Sequence, residues 1–271
     1  CYQLPALKLK GLTLVVSPLI ALMKDQVDAL KTNGILAEFI NSSLSFAEIQ
    51  EMESRLRAGR IRILYVAPER LALPNFRILL KTLQLGLIAI DEAHCISEWG
   101  HDFRPEYRNL KNLRGDFLNV PVIALTATAT AKVREDIISQ LNLGSAKVFL
   151  SSFNRPNLNY SVKPKKDALG QLIVLLKKYE KESVIIYCSS RKNTEELAGF
   201  LRREQLNALA YHAGMAAEIR RKTQEKFIHD DVGIIVATIA FGMGINKTNV
   251  RYVIHYDLPK NLESYYQETG R

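Results

Sequence analysis

Short apolar runs of strand length recur along this chain, and each ends abruptly in polar residues before an amphipathic helical stretch begins. Leu12 to Val16, Ile61 to Val66, Leu85 to Ile90 and Val120 to Leu125 are apolar at nearly every position, the composition of strands covered on both faces. Strands of that kind, separated by helices, fit parallel α/β units and exclude a β-sandwich or a helical bundle. Pro18 starts a helix in which Leu19, Leu22, Met23, Val27 and Leu30 recur at helical spacing and Gly34 closes it. Ser45 and Glu48 form a capping box for a helix through Leu56, stopped by Gly59. In open parallel sheets ligands bind outside the carboxyl ends of the strands, which is where the polar residues of this chain collect.

The alternation lapses once. From Ser151 to Lys166 the sequence reads SSFNRPNLNYSVKPKK, and strands then resume at Val184 to Cys188, Ala208 to Tyr211, Ile234 to Ala237 and Tyr252 to Tyr256. A linker there predicts two α/β lobes, residues 1–151 and 152–271. Three scattered cysteines, Cys1, Cys95 and Cys188, without CxxC spacing, exclude a disulfide framework and a zinc knuckle and suit a reducing compartment. Cys95 and Cys188 sit in or beside apolar strand ends and read as packing residues. The apolar runs fall far short of the roughly 20 residues that span a bilayer, and no apolar leader opens the chain, so an intracellular protein without a membrane partner is expected. Lys and Arg number 37 against 28 Asp and Glu, a net charge of +9 that favours a polyanionic partner.

Asp91-Glu92 at the end of the Leu85 to Ile90 run is the strongest local signal. One carboxylate to hold a magnesium shell and a second to orient water is what phosphoryl transfer from a nucleotide requires, although a bare acidic pair also suits an ordinary helix start. The residues that follow break the tie. DEAHCISEWGHDFRPEY resembles the Walker B motif and aromatic-rich loop of RecQ-family DNA helicases of superfamily two. VVSPLIALMKDQV, YVAPERL, ALTATAT, the connector SFNRPN, VIIYCSSRKNTEELA, VATIAFGMGINKTNVRYVIHYDLP and ESYYQETGR resemble further family motifs in family order, covering essentially the whole chain.

The resemblance implies two tandem RecA-like lobes, each a mainly parallel sheet flanked by helices, with ATP and Mg2+ as cofactors and single-stranded and partly duplex DNA as partner. It implies ATP-driven 3′ to 5′ translocation and unwinding in DNA repair and recombination, by a protein expected to be monomeric. The compartment would be the nucleoid-associated cytoplasm in a bacterium or the nucleus in a eukaryote. By the same resemblance Asp91 serves magnesium through water, Glu92 the hydrolytic water, and His94 couples the nucleotide to other motifs. Gln267 and Arg271 belong to the last motif, Gly242 and Gly244 to a nucleotide-contacting loop, and Thr126 and Thr128 to a relay. Asn246 and Thr248 depart from the usual family residues. The Walker A loop expected ahead of Cys1 and the second arginine expected beyond Arg271 lie outside the sequence, so the 271 residues by themselves are expected not to hydrolyse ATP.

Trp99, His101, Phe103 and Arg104 offer π-faces for bases and a cation for phosphate within six positions, the combination that reads single strands without sequence preference. An aromatic core plug is the alternative. Ser17 and Asn41 in the first lobe, and Ser189, Arg191, His212 and Thr238 in the second, sit at strand ends or helix starts, with Lys24 farther along the helix after Ser17, and all are expected to face the DNA backbone. Tyr265 and Tyr266 read as helix packing. Two other functions stay open: a non-enzymatic DNA-binding or scaffold protein with a decayed ATPase, and an RNA-remodelling ATPase of the same superfamily.

Overall fold

The computed structural model describes every residue except 42–43, 101, 153–154, 180, 243–244, 246 and 271. The chain divides into two compact units, Cys1–Val148 and Phe149–Arg271. In the first, β1 (Leu12–Val16), β2 (Ala37–Ile40), β3 (Ile63–Val66), β4 (Leu85–Ile90) and β5 (Val122–Ala124) form one parallel sheet in the order β2-β3-β1-β4-β5. Alternate strand residues feed two cores, as the two-residue period requires. Leu14, Val16, Leu64, Ile88 and Ile90 enter one, while Val15, Ile63, Tyr65, Leu87 and Ala89 enter the other. The second unit repeats the plan with β6 (Ser183–Tyr187), β7 (Ala208–Tyr211), β8 (Ile234–Ala237) and β9 (Val250–His255), all parallel in the order β7-β8-β6-β9. This is the two-lobed α/β architecture the sequence predicts.

Local differences have physical causes. The expected helix from Pro18 begins at Ile20, because Leu19 is still extended (φ −121°, ψ 111°) and no side chain caps it. The Ser45 capping box forms as expected, its hydroxyl accepting from the Glu48 amide, and the helix runs Phe46–Arg57. Strand β2 is the element least evident in sequence, since Glu38 interrupts its apolar pattern. That carboxylate is 8% exposed and is compensated by Lys31 at 2.9 Å and Arg55 at 2.7 Å. Charges from two helices therefore make an acidic residue compatible with a buried strand. Among the described residues no helix is long and apolar enough to cross a membrane.

Register aligns the carboxyl ends of the strands. Val16 pairs with both Val66 and Ile90, Ile40 with Val66, and Ile90 with Ala124, so Ser17, Asn41, Ala67, Asp91 and Leu125 leave the first sheet at one level. The connection from β1 runs toward β2 and that from β4 toward β5, which puts the topological switch point between Ser17 and Asp91. In the second sheet Tyr187 pairs with Ala237 and His255, and Tyr211 with Ala237, which brings Cys188, His212, Thr238 and Tyr256 to a common rim.

Candidate active site

Asp91 is the first residue beyond β4, its amide donating to the Val16 carbonyl at 2.8 Å. Glu92 turns the chain in the left-handed region (φ 46°, ψ 46°), and a short 3-10 helix, Ala93–Ile96, follows. That turn returns the Glu92 amide to Asp91 Oδ1 at 3.1 Å and swings the Glu92 carboxylate to 3.3 Å from His94 Nδ1. The same nitrogen lies 2.8 Å from Thr126 Oγ1 at the end of β5. Thr126 donates its hydroxyl hydrogen to the Thr128 carbonyl at 3.2 Å and accepts from the Thr128 amide at 3.2 Å. With that hydrogen spent and a carboxylate able only to accept, the network assigns the imidazole proton to Nδ1, donating to both Glu92 and Thr126. His94 is 1% exposed, so Glu92 and the threonine-rich strand end share one buried donor.

Burial pushes the Asp91 carboxyl above the usual carboxylate range, and the hydrogen bond from the Glu92 amide offsets this only in part. A partly desolvated carboxylate at a strand terminus, with Glu92 adjacent, is a hard-oxygen donor set that a divalent cation would relieve, so these residues fit magnesium. Tyr107 closes the site from below: it is fully buried and its hydroxyl donates to the Asp91 carbonyl at 3.0 Å. Sequence reasoning assigned this residue nothing, although it ends the DEAHCISEWGHDFRPEY block; a hydroxyl sixteen positions from its acceptor leaves no local pattern.

The segment after Asp91-Glu92 is a folded loop. A Cβ on Gly100 would lie 2.4 Å from the His94 carbonyl oxygen, so the loop approaches its own helical turn at a distance only glycine allows. Trp99 is 64% exposed, and Lys132 Nζ sits 3.0 Å from its ring centroid. That exposure removes the core-plug alternative. Phe103 lies under the Arg108 guanidinium at 5.0 Å, and Arg108 pairs with Glu98. Arg104 spends its fork within the protein, on Asp102 at 3.1–3.2 Å and on the Pro18 carbonyl at 3.0 Å. It thereby ties the aromatic loop to the segment after β1.

Other expected DNA contacts divide by burial. Lys24 is exposed on the helix after β1, and Ser189 and Arg191 are exposed in the second lobe. Ser17, Asn41 and His212 are instead buried, at 1%, 3% and 4% exposed. The Ser17 amide still belongs to the ladder, donating to Val66 at 3.1 Å, and with the helix starting at Ile20 Ser17 is no helix cap. His212 turns Nε2 to Glu195 at 2.8 Å. Ser189 donates its amide and hydroxyl to Asp257 Oδ2, each at 2.9 Å, while Lys165 holds Oδ1 at 2.9 Å. Burial raises the Asp257 carboxyl, but the Ser189 amide, Lys165 and the Ser189 hydroxyl outweigh it and bring the pKa to about 2.

Thr238 is half-buried, its amide bonded to the Tyr211 carbonyl, and Phe241 beyond it packs against Tyr211 and Phe227. Gly242 has φ +113°, a conformation side chains resist. Gln267 lies on the helix Leu262–Glu268. His101, Gly244 and Arg271, with Asn246, fall outside the described residues. Cys95 and Cys188 are buried, and burial pushes both thiols up, Cys188 to about 12, as packing cysteines behave. Tyr265 leans on His255 and Tyr160, and Tyr266 lies under Arg155, so both pack as expected.

Comparison with known proteins agrees with this arrangement. Residues 1–137 match the DEAD/DEAH box helicase family, and residues 164–271 match the helicase conserved C-terminal domain. An ATP-dependent DNA helicase RecQ of Pasteurella multocida is 51% identical over 271 residues, all of this chain and 43% of that protein. A RecQ of Bacillus subtilis is 46% identical over 272 residues, again all of this chain and 46% of the relative. The chain thus spans less than half the length of these curated relatives. Among solved structures, the DUF1998 helicase MrfA bound to DNA superposes with a TM-score of 0.75 at 18% identity, over 100% of this chain and 40% of that one, a likeness of fold.

Proposed function

Since the chain belongs to the DEAD/DEAH box helicases and carries a RecQ-family helicase core, we propose that its protein is an ATP-dependent DNA helicase that couples ATP hydrolysis to 3′ to 5′ movement on single-stranded DNA and to duplex separation in repair and recombination. The observation that carries this reading is the buried His94 donor shared by Glu92 and Thr126, since it joins the carboxylate suited to activating water to the strand end suited to relaying the nucleotide state. ATP is the substrate. Magnesium, when bound, supplies charge neutralisation to the phosphates, and Asp91 would hold it through water. Glu92 orients the attacking water and accepts its proton. His94 keeps that carboxylate aimed and binds its position to Thr126, while Tyr107 fixes the backbone from which both acidic side chains project.

Trp99 and Phe103 offer stacking faces to bases, and exposed Lys24 and Arg191 meet phosphates. Arg104 acts as the tie between that loop and the β1 rim. Gly242 gives close backbone approach at the second lobe's rim, and Gln267 and Arg271 contribute from the last motif. The test is Glu92→Gln in the full-length protein, with hydrolysis, ATP binding and DNA binding measured together. Turnover should fall by several orders of magnitude, about 4 kcal/mol or more of barrier, while both ligands still bind. Wild-type turnover would refute the assignment, and stimulation by RNA equal to that by DNA of the same sequence would point to the RNA-remodelling alternative.

A further inference from the structure

Trp99 and Phe103 each carry a cation on a ring face, and the two cations are held differently. Arg108 lies 5.0 Å from the Phe103 centroid and is also paired with Glu98, so an ion pair fixes it there. Lys132 Nζ lies 3.0 Å from the Trp99 centroid. Among the described residues no carboxylate pairs with Lys132, so the ring face is what holds its ammonium. The roles above leave this lysine unused.

The backbone on both sides of the contact is anchored. Thr130 caps the helix Ala131–Gln140 by accepting from the Val133 amide at 3.4 Å. Val133 and Ile137 turn into the core that also takes Ala93, Cys95 and Ile96, which leaves neighbouring Lys132 exposed. On the loop side the Trp99 amide donates to Ser97 Oγ at 3.2 Å, and Gly100 presses on the His94 carbonyl. Only the lysine stem is therefore left to move. An ammonium 3.0 Å from a ring centroid fills the space that a stacked base needs on that face, since stacked rings meet at about 3.5 Å. A cation–π contact at an exposed site biases a population about two- to fivefold, and a stacked base about five- to 150-fold, so the base displaces the ammonium. Displacement leaves the ammonium beside the nucleotide that took its place, and phosphate is the anion that nucleotide brings.

We infer that Lys132 is both a displaceable cap on the Trp99 stacking face and a phosphate ligand for single-stranded DNA: an incoming base takes the ring, and the released ammonium takes the adjoining backbone. This rests on the DNA-helicase reading of the loop. The two roles oppose each other in affinity. Capping the ring costs about two- to fivefold at any salt concentration. Neutralising one phosphate gains about eightfold near 50 mM salt but only about 1.6-fold near 500 mM, from a slope of about −0.7 per phosphate on a single strand.

The experiment compares Lys132→Ala, Lys132→Arg and Trp99→Ala in the 271-residue chain. It measures anisotropy of a labelled single-stranded DNA from about 50 to 500 mM salt, and acrylamide quenching of Trp99 emission without DNA. Alanine favours a helix at an exposed position, so folding is not at stake in the first variant. Lys132→Ala should bind about two- to fourfold more weakly than wild type at the low end and overtake it at the high end, with a slope shallower by about 0.7. Its Trp99 should be quenched more readily, because the face is uncovered. Lys132→Arg should keep the wild-type slope, since the charge is kept. A wild-type slope in Lys132→Ala, or an alanine-like slope in Lys132→Arg, overturns the phosphate role. Quenching equal to wild type, or no gain at high salt, overturns the cap. A wild-type chain that ignores single-stranded DNA, or a Trp99→Ala chain that binds it undiminished, would instead overturn the stacking reading on which the cap rests.

Discussion

Replacing Trp99 by alanine separates DNA contact from folding, because the two roles predict different free energies. Trp99 is 64% exposed, so about a third of its side chain is covered. For a side chain of about 200 Å², that is about 70 Å² of burial, or at most about 2 kcal/mol at 25 cal/mol per Å². A compact unfolded state reduces this, and the Lys132 contact at an exposed site returns about 0.5–1 kcal/mol. The expected loss of stability is therefore about 1–2 kcal/mol, against about 3–5 kcal/mol for a buried aromatic. The loss in DNA binding should be of similar or greater size, since one stacked base is worth about 1–3 kcal/mol, a five- to 150-fold change in affinity.

Urea unfolding and fluorescence anisotropy of a labelled oligonucleotide measure the two on the 271-residue chain. As the chain holds a single tryptophan, its emission reports the same event directly, and saturating single-stranded DNA should change it. A Trp99→Ala chain that binds DNA like wild type, with wild-type emission unmoved by DNA, refutes the stacking role. A stability loss above about 3 kcal/mol would show that Trp99 is a core residue after all.

Tyr107→Phe keeps the buried ring but strips the Asp91 carbonyl of its donor, so it should cost about 1–3 kcal/mol in urea unfolding, and an unchanged midpoint would remove Tyr107 from the site. Asp91→Asn should raise stability at neutral pH while abolishing magnesium-dependent turnover. The folded-state pKa of Asp91 is raised, so its ionised form opposes folding, and the gain should shrink as pH falls and Asp91 protonates. Asp257 has the opposite sign: its pKa falls to about 2 in the folded state, so its contribution is complete above the unfolded value near 4 and fades as pH drops from about 4 to 2. Screening at this partly exposed carboxylate reduces that contribution to about 1 kcal/mol, and an Asp257→Asn difference independent of pH across that window would contradict the assignment. Binding of single-stranded DNA by the chain should weaken with salt at a log-log slope of about −3 to −4, the release from four to six phosphates, and a flat response would argue against phosphate contacts.

Periodicity and chemistry along the chain were enough for the architecture and for the acidic pair. A strand buried on both faces is apolar at nearly every position, so Leu12–Val16, Leu85–Ile90, Ala208–Tyr211 and Ile234–Ala237 were legible residue for residue. Asp91-Glu92 alone would also suit an ordinary helix start, and it was legible as a site because the residues that follow, through Tyr107, carry the family resemblance. What the sequence could not carry was anything decided by register between strands or by which side of a rim a residue leaves from. Glu38 looks like a strand breaker until Lys31 and Arg55 arrive from helices that precede and follow it.

Ser17, Asn41 and His212 look like DNA contacts because they end strands. The fold buries all three, and burial is a property of neighbours remote in sequence. Trp99 could have been a plug or a platform by composition alone, and only packing exposes it. Tyr107 on the Asp91 carbonyl and Arg155 on the Tyr266 and Thr269 carbonyls bridge 16 and more than 100 positions respectively, and the bonds they make are to backbone, which every residue presents alike. A side chain whose partner is a carbonyl group leaves no complementary letter elsewhere in the chain, so such contacts become visible only when the fold brings the two together.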